Sequence, residues 1–436
     1  MNAEQAHEGA HVGSIGSYRW VICGLLFFAT TVNYIDRQIL SLIKPILDNE
    51  LHWSNEQFGR ANAVFQASYA IGGMLFGKVI DRVGAKIGYA ASIAAWSLAA
   101  GAHALAGSVS GFYLARGALG LGEAGNFPSA IKAVALWFPK KERTFATTLF
   151  NSGANVGAMI APAVVPWLAF TWGWHSAFIA AGAAGLLWLA LWIPLYDVPE
   201  RSRRLSAAER DYIGEAPAGS SDKVSWLSLF RYRQTWSFIL AKFLTDPVWW
   251  FFLIWLPDFF KKTRHLDVKN SWPHLVTIYG VVTLLSNWGG KIPGYLAERR
   301  HISIGRARKI VMFGCACCVV PIIFVTTASD WAAVFLIGFA AAAHQAWSAN
   351  LFTSASDMFP QKALGSMVGL GGMAGSIGGM IFPIFSGKLL DHFEATGNAT
   401  AGYGILFAIC ASAYLIAFAV NHALAPRFDP IEVKDS

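Results

Sequence analysis

Charge is what this sequence has least of. Asp, Glu, Lys and Arg make up 14% of its 436 residues while 55% are hydrophobic, and a soluble domain would carry about a quarter charged residues. That excludes an ordinary water-solvated chain. The 18 Trp and 31 Phe fit a polytopic membrane protein instead. Cysteine is scarce as well, and Cys23, Cys315, Cys317, Cys318 and Cys410 all fall in apolar runs. The trio at 315–318 has no histidine or further cysteine at ligand spacing, so these thiols read as small apolar residues, and no metal or cofactor is expected. Within the apolar runs there is no Gly-x-Ser-x-Gly, His-Glu-x-x-His or phosphate-cradling loop, which argues against an intramembrane enzyme.

The charge that is present has a pattern. The formal net charge is +8, but the basic residues are spread over short loops and form no patch, so nucleic acid is not an expected partner. Residues 1–18 are polar and no cleavable signal precedes the first apolar run, so that run is expected to be an uncleaved anchor. Windows long enough to cross about 30 Å of hydrocarbon occur twelve times, near 20–43, 58–79, 86–107, 112–136, 144–168, 174–195, 236–259, 273–296, 308–328, 331–356, 364–388 and 402–424. Lys78, Arg82, Lys86, Lys140, Lys141, Arg143, the Arg201–Arg233 group and Arg299 to Lys309 lie on one side; Lys44, Lys388 and Lys261 to Lys269 lie on the other. The positive-inside rule then places both termini in the cytoplasm.

Two halves are expected: 1–195 and 236–436, each with six spans, joined by a cytoplasmic linker at 196–235. Within the linker LSAAERDYI suggests a short helix, with Ser206 as cap and Glu209 three residues on. The halves repeat. Gly77, Asp81 and Arg82 of GKVIDR return 217 residues later as Gly294, Glu298 and Arg299 of GYLAER. Phe138-Pro139, Gly157 and Pro162 return 221 residues later as Phe359-Pro360, Gly378 and Pro383. Duplicated six-helix units are how many secondary transporters build a central site that opens alternately to each side.

The stretch RGALGLGEAGNFPSA, Arg116 to Ala130, organises the rest. Arg116, Gly120 and Glu123 stand at i, i+4 and i+7, one face of a helix. Ionisable groups at bilayer depth face a protein interior or a wet cavity, so this face reads as the lining of a polar path, or else as a structural ion pair between helices. Counting 1.5 Å per residue, Arg37 lies about 25 Å above the start of the first span and Arg116 about 6 Å below the opposite surface. Across a core about 30 Å thick the two guanidinium groups therefore reach similar depth, with Glu123 near the midplane.

GKVIDRVGAK between spans 2 and 3, its twin in the second half, the central basic loop and RGALGLGEAG on span 4 resemble the Major Facilitator Superfamily. NYIDRQ on span 1, GEAGNFP on span 4 and WFPKKER are similar to its anion:cation symporter family. KFLTDPVWWFFLIWLPDFF on span 7 and AAAHQAWSANLFTSASDMFP on span 10 resemble bacterial hexuronate transporters. The resemblance implies an all-α integral membrane protein with the Major Facilitator fold, twelve transmembrane helices in two pseudo-symmetric six-helix bundles. It also implies a monomer in the bacterial inner membrane. Asp81, Arg82, Glu298 and Arg299 read as gating or structural residues.

An arginine presents a planar fork to a carboxylate and stays charged. Arg37 and Arg116 are thus the candidates for holding an anionic substrate, and the resemblance points to both. Similar sugar-acid symporters couple through carboxylates at the positions of Glu123 and Asp36; Glu123 is the favoured proton carrier, since Asp36 lies nearer the outer surface. Tyr34 shares a face with Arg37 at i, i+3. Tyr69, Asn151, Asn155, Asn287, His344, Gln345 and Asn350 are candidates for sugar hydroxyls, with Trp249, Trp250 and Trp347 available to stack. Lys242 and Asp246, an i, i+4 pair, read as mutually neutralising. The expected activity is import of a hexuronate, glucuronate or galacturonate, with a proton. A symporter of an aldonate or aldarate is the alternative, and a non-transporting sugar-acid sensor is a more distant one.

Overall fold

The computed structural model describes residues 16–214 and 226–431, and every regular element among them is helical. The helices are α1 (Tyr18–Leu51), α2 (Asn55–Ala102), α3 (Val109–Glu123), α4 (Asn126–Trp137), α5 (Lys140–Trp172), α6 (His175–Leu195), α7 (Ala207–Ile213), α8 (Trp226–Leu229), α9 (Arg233–Arg264), α10 (Val268–Arg300), α11 (Ile304–Val319), α12 (Asp330–Met358), α13 (Gln361–Ala395) and α14 (Ala399–Leu424). Eight of them are long and apolar enough to cross a membrane. The two legs of α2, the α3–α4 pair and α10 complete the twelve expected crossings, less apolar because they carry the loop charges and the central polar stretch.

Local sequence explains the ends and the breaks. A capping box starts α2, Ser54 accepting from Gln57 N while Gln57 reaches back to Ser54 N at 2.9 Å. The connection expected between spans 2 and 3 is very short: two helical legs of α2 meet at Gly84, whose φ of 81° and ψ of 168° are non-helical and suit glycine. The fourth span, expected unbroken, is split between Glu123 and Asn126. Pro128 has no N–H to continue the ladder, while Ser92 of α2 donates to Gly122 O at 2.6 Å and Tyr89 to Asn126 Oδ1 at 2.5 Å. The ninth span ends in a 3₁₀ turn, Val320–Phe324, at Pro321.

α1 packs on α5, α2 on α3, and α10 on α12; α2 meets α13, α5 meets α10 and α1 meets α9 from the other half of the chain. At the α2–α13 crossing the backbones touch. A Cβ at Gly59 would lie 2.3 Å from Pro383 O, and one at Gly387 2.3 Å from Asn55 O. The expected linker helix forms as α7, capped by Ser206 on Glu209 N at 3.2 Å. Buried Glu209 accepts from the backbone N–H groups of Tyr18 and Arg19 at the start of α1, at 3.2 and 3.1 Å, and pairs with the Arg19 guanidinium at 3.0 Å. A carboxylate at a helix N-terminus satisfies free donors and opposes the dipole, so this end of the linker is fastened to the first half.

Candidate functional site

The centre of the molecule is built from four helices. α1 brings Tyr34, Asp36 and Arg37, and α2 brings Asn62, Phe65, Gln66 and Tyr69. α3 brings Arg116 and Glu123, while α9 brings Trp250, Leu253 and Ile254. Gly120 lets α3 lie against α2, since a Cβ there would sit 2.4 Å from Phe65 O. That approach sets Arg116 and Glu123 beside α1. Arg37 Nε donates to Glu123 Oε2 at 2.7 Å, the two side chains being 7% and 0% exposed. Glu123 thus pairs with the arginine of another helix, the alternative reading of an interhelical ion pair. Four rings surround the Arg37 guanidinium: Tyr34 at 5.0 Å, Tyr69 at 4.8 Å, Phe65 at 5.5 Å and, from the second half, Trp250 at 5.5 Å. Such faces stabilise a cation kept from water.

Arg116 is different. Its Nη2 donates to Arg37 O at 3.3 Å and Asn62 Oδ1 at 3.0 Å, while its Nε and Nη1, though buried, have no hydrogen-bond partner among the described residues. Among the described residues neither oxygen of buried Asp36 has a hydrogen-bond partner, nor has Glu123 Oε1. One ion pair is therefore closed, and next to it stand a guanidinium with spare donors and a carboxyl group with spare acceptors. A cavity beside the two arginines is lined by Arg37, Asn62, Phe65, Gln66, Arg116, Trp250, Leu253 and Ile254 and measures about 10 Å³, room for about one water. In this conformation it is shut around its charges.

The other candidates lie elsewhere. Buried His344 is hydrogen-bonded to the Tyr414 hydroxyl and stacked on Trp249 at 5.4 Å, inside the second half. Asn350 donates to Ala346 O of its own helix at 2.8 Å, and Gln345 is half-buried. Asn155 is half-buried and Asn151 exposed on α5, and neither lines the cavity. Arg82, Glu298 and Arg299 are exposed, with Arg299 turned onto Tyr295 of its own helix. The side chains of Asp81 and Asn287 lie outside what the structure describes. So does the string His7-Glu8-Gly9-Ala10-His11 near the start of the chain, which has His-Glu-x-x-His spacing outside the apolar runs. Asn62 and Gln66 line the cavity and are not among the candidates the sequence pattern offers. With Tyr69 they stand at i, i+4 and i+7, a polar stripe in an apolar run that was there to be read.

A second ionic cluster closes the end where α1 finishes and α2 begins. Lys44 bridges Asp48 at 2.9 Å and Asp258 at 3.0 Å; Asp258 also takes Lys262 at 3.2 Å and the Tyr403 hydroxyl at 2.6 Å. Lys262 continues to Glu394. Asp391 of α13 accepts from Asn55 N and Glu56 N, both at 2.8 Å, capping the first turn of α2 across the halves.

The sequence profile described as Major Facilitator Superfamily matches residues 26–383. The chain is 32% identical to the hexuronate transporter of Escherichia coli (strain K12), over 96% of each chain. It is 33% identical to the galacturonate transporter of Dickeya chrysanthemi, over 68% of this chain and 88% of the relative. A solved bacterial homolog to the human lysosomal transporter Spinster, inward-facing and occupied, superposes with a TM-score of 0.74 at 18% identity, covering 94% of this chain and 98% of that one. The profile and the two close relatives agree with the helical architecture and the buried ionic centre: the chain belongs to the Major Facilitator Superfamily, a family of membrane transporters and not of enzymes.

Proposed function

We propose that the protein is a proton-coupled symporter that carries a hexuronate, glucuronate or galacturonate, into the cell across a bacterial inner membrane. The observation that carries this reading is the buried Arg116 guanidinium with two unpartnered donor nitrogens beside the closed Arg37–Glu123 pair. An ionised group at this depth is costly unless something compensates it, and a substrate carboxylate is the group that fits the fork. The hexuronate and galacturonate transporters among the relatives support the choice of sugar acid.

The coupling follows from who holds whom. While Glu123 is ionised it occupies Arg37. A proton on Glu123 removes that charge, and the Arg37 fork turns to the substrate carboxylate together with Arg116. Asp36, one residue from Arg37 and without hydrogen-bond partners, is the second proton-accepting group. One proton and one monoanion then cross as a neutral load. Tyr34, Tyr69, Asn62 and Gln66 meet the sugar hydroxyls. The halves 1–195 and 236–436 act as two rocking bundles joined by the linker 196–235, both termini lie in the cytoplasm, and the transporter works as a monomer. Asp81, Arg82, Glu298 and Arg299 join the halves at the cytoplasmic end when the outer end opens.

The test is uptake of labelled glucuronate by proteoliposomes with and without an inward proton gradient. Accumulation that requires the gradient and is competed by galacturonate, but weakly by gluconate, is expected. Uptake of gluconate or glucarate in place of glucuronate would move the substrate to another sugar acid and keep the family.

A further inference from the structure

One buried charge pair is not used by this mechanism. Lys242 Nζ meets Asp246 Oδ2 at 2.7 Å, with the side chains 7% and 17% exposed. Both residues are on α9, one turn apart. A pair within one helix locks no two helices together, in contrast to Lys44–Asp258 and Arg37–Glu123, which join different helices. It therefore bears the desolvation of two charges without giving the fold a tertiary tie. Intramembrane ionisable residues of that kind mark a path for polar cargo.

Its position agrees. Lys242, Asp246 and Trp250 stand at i, i+4 and i+8, and Trp250 both lines the central cavity and lies over Arg37. Asp246 is thus about 6 Å along the helix axis from Trp250, about the span of a six-carbon sugar acid held at Arg37 by its carboxylate. On the remaining side α13 offers Gly375, where a Cβ would fall 2.1 Å from Asp246 Oδ2, so the carboxylate occupies space that any other residue would fill. Behind Lys242 is the Phe352 ring at 4.4 Å.

We propose that Asp246, held in place by Lys242, is the far wall of the substrate site and sets its specificity between sugar monoacids and sugar diacids. The inference rests on the sugar-acid reading above. Asp246 accepts from the hydroxyls at the end of a uronate remote from its carboxylate, and Lys242 donates to them. A diacid brings a second carboxylate to the same place, against the charge of Asp246, and is rejected. Selection against the wrong substrate by like charge is a general route to specificity.

The experiment is uptake of labelled glucuronate and labelled glucarate, side by side in the same proteoliposomes, by the wild-type protein, Asp246→Asn, and the doubly neutral Lys242→Gln/Asp246→Asn. In Asp246→Asn the freed ammonium faces the second carboxylate, and the ratio of glucarate to glucuronate kcat/KM should rise at least about tenfold. The double variant, which leaves no unpaired charge to prevent folding, should raise the KM for glucuronate several-fold and admit glucarate less well than Asp246→Asn does. An unchanged ratio in Asp246→Asn overturns the inference while glucuronate uptake still stands. If that variant is not recovered folded, an unchanged glucuronate KM in the double variant overturns it. No glucuronate uptake by the wild-type protein overturns the uronate reading itself, and this inference with it.

Discussion

The two ionic clusters on the molecular axis are built to opposite rules. At the end where α1 passes into α2, Lys44, Asp258, Lys262 and Glu394 are linked in one network, Tyr403 is tied to Asp258, and members of both halves take part. The apolar core around it is continuous as well, with Leu40, Ile43, Leu47 and Phe58 in one cluster with Trp255, Phe259 and Phe407. A few helical turns deeper, Arg37 and Glu123 pair while Arg116 and Asp36 keep spare hydrogen-bonding atoms. Saturated charges hold a conformation; unsaturated ones await a ligand and a proton. The opposite end differs from both: among the described residues the core cluster there, with Ile22, Leu26, Trp96 and Trp188, contains residues of the first half and the linker only, and Arg82, Glu298 and Arg299 are exposed. Among the described residues the halves are thus fastened at one end, while the core cluster of the other end takes no member of the second half.

Substitutions should separate these rules. Arg116→Ala is expected to have the largest effect, reducing kcat/KM for the sugar acid about 100-fold or more, the loss of two charge-assisted hydrogen bonds. Its thermal stability should fall less than that of Asp258→Asn, because the arginine it removes is incompletely partnered. A large loss of stability with uptake retained would turn the centre into a second structural network and erase the contrast.

Glu123→Gln should abolish uphill accumulation driven by a proton gradient and leave exchange of labelled for unlabelled substrate partly intact. Unchanged gradient-driven accumulation in that variant would remove Glu123 from coupling and leave Asp36 to carry it. Asp258→Asn takes from Lys44 and Lys262 the buried carboxylate they share, leaving them Asp48 and Glu394, and should destabilise the closed end by about 2 kcal/mol, read as a lower apparent Tm and a longer mean distance between spin labels at His52 and Thr396. No change in either measurement would mean that the apolar core alone fastens that end. The smallest effect on stability is expected for Arg299→Ala, within about 0.5 kcal/mol. A drop there as large as that of Asp258→Asn would show that the other end is latched too.

Much of this was written along the chain, because helix formation and membrane insertion depend on short-range properties. Twelve apolar windows, the Ser206 cap of α7, the repeated Gly77 and Gly294 segments and the shared face of Arg116, Gly120 and Glu123 follow from hydropathy, period and spacing. The candidate site was legible as a set of residue types: two arginines, two carboxylates and polar side chains at similar depth. Its pairing was not. Glu123 meets Arg37 of α1 and leaves Arg116 short of partners, because Gly120 allows α3 to approach Phe65 closely enough to bring Glu123 beside α1. The same long-range packing brings Asn62 and Gln66 into the cavity, leaves Asn151 and Asn155 outside it, and retains His344 against Trp249 and Tyr414. It also selects the closed end, where Asp391 reaches 336 residues back to cap α2. Sequence by itself determined which segments are helices and which charges lie within them. Only the tertiary structure decided which charges meet, since that depends on how near two backbones can come.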